Sequence, residues 1–227
     1  MTNIELTNAI IEIAGIADDL PTHAQDVIMP VQTHSARVGL LDATTLAAIE
    51  KGTPVAEIFP ATDGLITTLP GIRIGVRTAD CVPVLINCPD IGAVAAVHAG
   101  WRGTFDGIVI RAMEMLRDMG ADPRKAEAVI APCISVDAYE VSDELAEKFM
   151  VSPLCGRDVA VMYGDRYHLD LRECNARQLQ SAGMDRSRIV IDRRCTFADT
   201  GLYSYRRVAG ERGRNISSIM LHSTPGD

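Results

Sequence analysis

The chain has 227 residues, of which 47% are hydrophobic and 23% charged, enough apolar material for one sizeable core and incompatible with a disordered or fibrous chain. No apolar run approaches the roughly 18–20 residues needed to cross a bilayer, and no basic segment precedes the short apolar stretch Ala9–Ala17, so the expectation is a cytoplasmic protein that binds no membrane. A formal net charge of −8 opposes generic binding to nucleic acid or anionic lipid, both of which need broad positive potential.

The charge is unevenly spread: residues 1–156 carry 10 basic and 21 acidic side chains, residues 157–227 carry 12 and 9. Nineteen of the 22 basic residues are arginine, which suits bidentate binding of phosphate or carboxylate but is equally the product of a GC-rich genome. The six cysteines form no Cys-x-x-Cys pair, and a chain of this size folds without disulfides, so free thiols are expected.

Short apolar strands alternate with helical patterns, and no repeat or linker divides residues 1–227, which read as one domain. Val27–Val31 predicts a strand running into Gln32-Thr33-His34, and Ala43–Lys51 a helix ended by Gly52. Ile72, Ile74 and Val76 alternate with Arg73, Gly75 and Arg77, predicting a half-buried strand that delivers the chain to Asp80-Cys81; Val82–Asn87 follows as another. Ala93–Val97 predicts a fully apolar strand that stops at His98 and opens through Gly100-Trp101-Arg102-Gly103 into a helix capped by Thr104. Phe105, Ile108, Val109, Ala112, Leu116 and Met119 carry that helix to Gly120. Further strands are predicted at Glu127–Ile130, near Val159–Tyr163, at Ile189–Ile191 and at Ile216–Leu221, with helices from Ser142 and over Leu171–Ala182. The pattern is mixed α and β.

Three segments place metal-ligating residues at strand ends: His34, Cys81 and His98, 47 and 17 residues apart. Two imidazoles and a thiolate suit Zn²⁺ and would leave a fourth position for water or substrate; a His or Cys near a strand end serves packing just as readily. The turn after His98 leads into a helix whose first N–H groups attract anions, with Arg102 beside it; alternatively the glycines only permit a tight turn and Arg102 is solvated. A third cluster, Tyr203-Ser204-Tyr205-Arg206-Arg207 with Arg212 and Arg214, could stack a flat heterocycle and hold phosphate or ribose oxygens, or form a solvated loop.

Gln32-Thr33-His34, Thr78–Leu85 (Thr-Ala-Asp-Cys-Val-Pro-Val-Leu), Val97–Gly103 (Val-His-Ala-Gly-Trp-Arg-Gly), Ala131–Ile134, Tyr139-Glu140-Val141, Asp170-Leu171, Cys195-Thr196 and Ser204–Arg207 together resemble, in content and order, the bacterial YfiH-like family, also called laccase-domain or polyphenol oxidase proteins. The resemblance spans nearly the whole chain. It implies a compact α+β fold with mixed β-sheets flanked by helices, and a Zn²⁺ held by His34, Cys81 and His98. The activity it implies is phosphorolysis of adenosine, inosine, guanosine and methylthioadenosine, with adenosine deamination on the side. The sequence departs from the family at its start, where relatives place two further strands and then a helix bearing an Asn-Arg pair. Here the chain begins almost at that helix and reads Asn8-Ala9, which implies a pocket lacking those strands.

Under the nucleoside reading Asp80, beside Cys81, is the candidate for proton transfer to or from the base, or else a residue that orders a ligand. Arg102 and Arg206 are candidates to hold phosphate, and Gln32, Arg206, Arg207 and Arg214 to contact substrate. The partners are then a nucleoside and phosphate. A rival reading is a Cu²⁺-dependent polyphenol oxidase; ordinary multicopper oxidases need about ten histidines, and this chain has five, with no His-x-His pair. A third takes Cys81 as a nucleophile with His34 or His98 as base, and a fourth takes the chain as a partner-binding module that has kept a metal site. Cys88, Cys133, Cys155, Cys174 and Cys195 are expected as structural thiols, and His23, His168 and His222 as packing or surface residues.

Overall fold

The computed structural model describes residues 1–16 and 26–222. In chain order its strands are β1 (Thr2–Glu5), β2 (Ala9–Ala14), β3 (Val27–Ile28), β4 (Val38–Leu41), β5 (Gly64–Thr67), β6 (Arg73–Thr78), β7 (Val82–Cys88), β8 (Ala93–Ala99), β9 (Glu127–Ile130), β10 (Glu140–Val141), β11 (Ala160–Tyr163), β12 (Arg166–Leu169), β13 (Ile189–Ile191) and β14 (Asn215–Leu221). The helices are α1 (Ala43–Glu50), α2 (Val55–Ile58), α3 (Trp101–Phe105), α4 (Ile108–Asp118), α5 (Asp143–Val151) and α6 (Leu171–Ser181).

A six-stranded sheet, β13-β9-β7-β8-β5-β4, forms the middle layer. It is mixed: β13 with β9 and β4 with β5 pair in parallel, the rest antiparallel. The two-residue alternation of extended chain sends Val82, Val84, Ile86, Ala95 and Val97 to one face, where they meet Val109, Ala112 and Leu116 of α4 and Leu179 of α6. Leu85, Val94, Ala96 and Val129 point the other way, onto Ile11, Ile74, Val76 and Ile219 of a five-stranded sheet, β1-β2-β14-β6-β3. Burial on both faces is why β7 and β8 read as unbroken apolar runs. Each Leu or Ile buried in these layers stabilises the fold by about 1.5–3 kcal/mol. A small sheet, β10-β12-β11, packs with α5. The α+β architecture expected from the sequence is the one observed.

Four local expectations are corrected. The chain start is not helical: β1 and β2 pair antiparallel, Thr2 opposite Ile13. Ala9, Ile11 and Ile13 are buried while Ile10 and Glu12 are half-buried, a period of two that a helix cannot use. The strand expected over Val27–Val31 is ladder-bonded only at Val27–Ile28. The single helix expected from Thr104 to Met119 is broken at Gly107, whose φ of 74° lies in the left-handed region. Thr104 caps neither piece: its buried hydroxyl accepts from Asn175 at 3.0 Å and donates to the Ala99 carbonyl at 3.4 Å. Among the described residues no helix is long and apolar enough to cross a membrane.

Candidate metal centre and its cavity

Strand register brings four segments to one end of the six-stranded sheet. Val82 of β7 sits opposite Ala99 of β8, so the next step sets Cys81 against Gly100. Gly64 of β5 sits opposite Val97, so the preceding Asp63 meets His98, whose N–H donates to the Asp63 carbonyl at 2.7 Å. Val38 of β4 pairs with Gly64, placing the segment before β4, with His34, over the same end. β6 arrives from the other sheet, and Ala79-Asp80 carries the chain across into Cys81. Asp80 and His34 take the left-handed conformation, φ 96° and 63°, which costs about 1–3 kcal/mol each and persists only where the surroundings enforce it.

His34, Cys81 and His98 form one ligand triangle, their donor atoms all within 4.8 Å of one another, with Cys81 Sγ 3.9 Å from His34 Nε2. That is close to the separation of roughly 3.5 Å implied by tetrahedral nitrogen and sulfur ligands about 2.0–2.3 Å from an ion. Partial burial opposes ionisation of Cys81, yet its contacts with His34 and His98 bring the thiol down to about 6. Burial likewise opposes the charged form of His98, but bonds to Asp63 and Cys81 outweigh it and carry the imidazole up to about 9. A thiolate between two imidazoles is a donor set that fits a borderline-soft divalent cation.

Gly100 leaves the room this triangle needs. A Cβ there would lie 2.9 Å from His34 Cδ2 and 3.1 Å from Cys81 Sγ, so the imidazole must shift and the sulfur must give by a few tenths of an ångström. Gly100→Ala is therefore expected to weaken binding of a divalent metal ion by about tenfold or more in a chelator-competition titration, a methyl group acting on ligand geometry alone. Unchanged affinity would mean that the triangle is looser than these contacts indicate.

Asp63, which the sequence did not single out, holds the centre together. Its side chain is fully buried. Oδ1 accepts from His98 Nδ1 at 2.7 Å and from the His34 N–H at 2.9 Å. Oδ2 accepts from the N–H groups of Thr33 and Ser35 and from the Ser35 hydroxyl, at 3.1, 2.7 and 2.7 Å. Burial opposes the charge, but these donors hold the carboxyl well below the usual carboxylate range. With Nδ1 of His98 engaged, its Nε2 is the atom left for the ligand triangle. The sequence signal was faint: Thr62-Asp63-Gly64 reads as a turn.

The triangle opens into a cavity of about 690 Å³ whose walls also carry Gln32, Arg77, Asp80, Trp101, Tyr139, Tyr205, Arg206 and Arg214. Of the sequence candidates, Gln32, His34, Asp80, Cys81, His98, Arg206 and Arg214 thus converge; Arg77, Trp101 and Tyr139 had not been expected as site residues. Asp80 accepts from the Thr196 hydroxyl at 2.6 Å and from the Arg206 N–H at 2.7 Å, which fixes its corner. The Arg206 guanidinium donates twice to the Glu140 carbonyl, at 3.0 Å, and lies 5.3 Å from the Tyr139 ring centre.

Two candidates are corrected. Arg207 does not line the cavity: its guanidinium donates to the carbonyls of Thr196, Phe197, Asp199 and Leu202 and so braces the loop behind the site. Arg102 also stands outside the lining, exposed and 4.4 Å over the Trp101 ring. Gly103 meets the Ser35 carbonyl, 3.0 Å from where a Cβ would sit, so the glycines serve close packing of α3 on the His34 segment. His168 donates from Nδ1 to the Val136 carbonyl and His222 lies 3.2 Å from Glu5; neither joins the triangle, and His23 lies outside the described residues. Cys88, Cys133, Cys155 and Cys174 are buried, Cys195 is partly exposed, and all are free thiols.

Among the described residues, one N₂S donor set at the head of an arginine- and aromatic-walled cavity could hold a metal ion. Residues 11–222 match the family described as multi-copper polyphenol oxidoreductase laccase, and the chain belongs to that family. It is 36% identical over 208 residues to a protein named adenosine deaminase RL5 from an unknown prokaryotic organism, covering 90% of this chain and 78% of that one. It is 33% identical over 202 residues to a purine nucleoside phosphorylase of Bacteroides thetaiotaomicron, covering 87% and 74%. Among solved structures, Bacillus licheniformis YfiH aligns with a TM-score of 0.76 at 31% identity over 86% of this chain and 74% of that one. A Neisseria meningitidis protein shares the fold, with a TM-score of 0.77 at 23% identity over 98% and 99%.

Proposed function

We propose that the chain is a zinc-dependent purine nucleoside phosphorylase of the cytoplasm, acting on adenosine, inosine, guanosine and methylthioadenosine, with adenosine deamination as a second activity of the same site. The observation that carries this reading is the ligand triangle of His34, Cys81 and His98 opening into one cavity with arginines and aromatic rings. The names of relatives at 33–36% identity supply the substrate class.

Zinc held by the triangle would supply Lewis-acid polarisation of a substrate oxygen or nitrogen. The rings of Trp101, Tyr139 and Tyr205 offer the flat apolar faces on which a purine stacks. Arg206, pinned to Glu140 and Tyr139, presents its remaining donors to the ribose or the base. In phosphorolysis the bond from the ribose carbon to the base nitrogen breaks as a phosphate oxygen bonds that carbon, and the leaving base takes a proton. Asp80 is assigned to relay the proton of the incoming acid phosphate to the base: each of its oxygens receives one hydrogen bond from the protein and keeps a lone pair free to take that proton. Deamination replaces the purine amino group with a water oxygen and releases ammonia, with the same carboxylate handling the proton.

The copper oxidase reading meets a ligand deficit. Five histidines, two of them in one mononuclear triangle, cannot supply a blue-copper centre and a trinuclear cluster together. The test is a product assay on purified protein with inosine and adenosine, with and without phosphate. Free base and ribose 1-phosphate released only with phosphate are expected; oxidation of a phenol with no base released would overturn the proposal.

A further inference from the structure

Arg77 stands at the cavity end of β6. In the register of β6 with β14 it faces Ile216, and Arg214 immediately precedes β14, whose first residue Asn215 pairs with Thr78. Both arginines line the cavity, and Asp80 is its one acidic lining residue, engaged by Thr196 and Arg206.

Among the described residues no carboxylate comes within ion-pair distance of Arg77 or Arg214. Arg214 donates only through one nitrogen, to the carbonyls of Glu211 and Gly213. Like charges gathered in one cavity repel, and a chain with 30 acidic and 22 basic residues has no shortage of counter-charges. The arrangement is explained if the counter-charge arrives as ligand.

Arg77 is also held ready for one. The Gln32 amide clasps its main chain from both sides, Nε2 donating to the Arg77 carbonyl and Oε1 accepting from the Arg77 N–H, each at 2.8 Å. Gln32, expected from the sequence to touch substrate, thereby positions Arg77 and keeps one N–H and one lone pair beside the cavity it lines. The guanidinium of Arg77 keeps its planar fork of donors for the cavity, the geometry that matches a tetrahedral oxyanion.

We propose that Arg77 and Arg214 form the binding site for a phosphate dianion at the end of the cavity built by β6 and β14. The anion's part in turnover rests on the phosphorolysis reading; its binding does not. The group could come as inorganic phosphate or on a nucleoside monophosphate, and titration calorimetry of the zinc-loaded protein with phosphate and with AMP separates the two. Phosphate is expected to bind once per chain, and Arg77→Gln and Arg214→Gln each to raise its Kd about tenfold or more, the effect of losing one charged hydrogen-bond donor set. Arg77→Lys should fall between, keeping charge without the fork, and Gln32→Ala should weaken phosphate binding through Arg77. AMP binding with the same arginine dependence and no phosphate binding would support the site and place the anion on a nucleotide. No binding of either ligand to the unsubstituted protein, or a Kd unchanged within twofold in Arg77→Gln with an intact circular dichroism spectrum, would overturn the proposal. Arginine-dependent phosphate binding without base release would sink the phosphorylase reading alone. Phosphate-dependent base release whose phosphate KM ignores Arg77→Gln would sink this assignment alone.

Discussion

Cys81→Ala is expected to leave the protein without stoichiometric zinc and to lower kcat/KM for nucleoside phosphorolysis by about 10³ or more. Two imidazoles that remain after the thiolate is gone make a weak site, and Lewis-acid stabilisation is worth several kcal/mol of barrier, each roughly 1.4 kcal/mol being tenfold in rate. Because Cys81 sits at a partly exposed strand end, the variant should fold, which a circular dichroism melt verifies. The same residue distinguishes a metal ligand from a free nucleophile. With its thiol brought down to about 6, Cys81 should react readily with iodoacetamide at neutral pH once a chelator has removed zinc, and slowly before. Equal alkylation with and without chelator, and activity that survives chelation, would instead make it a nucleophile in a cysteine-dependent reaction.

Asp63→Asn carries the second large expectation: zinc affinity lower by roughly 10–100-fold, and a loss of about 3 kcal/mol of stability even in the metal-free protein. The carboxylate accepts six hydrogen bonds from Thr33, His34, Ser35 and His98, and an amide would turn an NH₂ group toward some of those donors. Zinc titration reads the first effect and urea unfolding the second. The sign of the pH dependence follows from the lowered Asp63 carboxyl. Its contribution is full above the ordinary carboxylate range and is lost as pH falls through the lowered folded value. The stability gap between the unsubstituted protein and the Asp63→Asn variant should therefore be widest near neutrality and narrow in acid. A gap that stays constant from about pH 7 down to about pH 3 would show that the charge is not what the loop relies on.

What the sequence disclosed depended on how local the cause was. β8 was readable because burial on both faces leaves an uninterrupted apolar run, and the ligand triangle because His34, Cys81 and His98 each fall within a recognisable motif. Asp63 was not readable, since its role arises from the pairing of β5 with β8, residues more than thirty positions apart in the chain. Arg102 and Arg207 were assigned by residue type and neighbourhood, but the direction of each side chain is set by Trp101 and by the carbonyls of the 196–202 loop. Arg77 was hidden in plain alternation, as the polar partner of Ile74 and Val76 in a half-buried strand. At the chain start the two-residue period of Ala9, Ile11 and Ile13 was the better guide than the helix implied by family resemblance. Thr104 looked like a cap because Gly107, which splits the helix, is a tolerated residue in an otherwise helical pattern.

One mononuclear centre built from His34, Cys81 and His98 underlies every functional expectation for this chain. Elemental analysis of protein purified without added metal tests it most directly: about one zinc per chain is predicted, and almost none in Cys81→Ala prepared in parallel. Copper at several ions per chain, or zinc retained at full stoichiometry after Cys81 is removed, would contradict it.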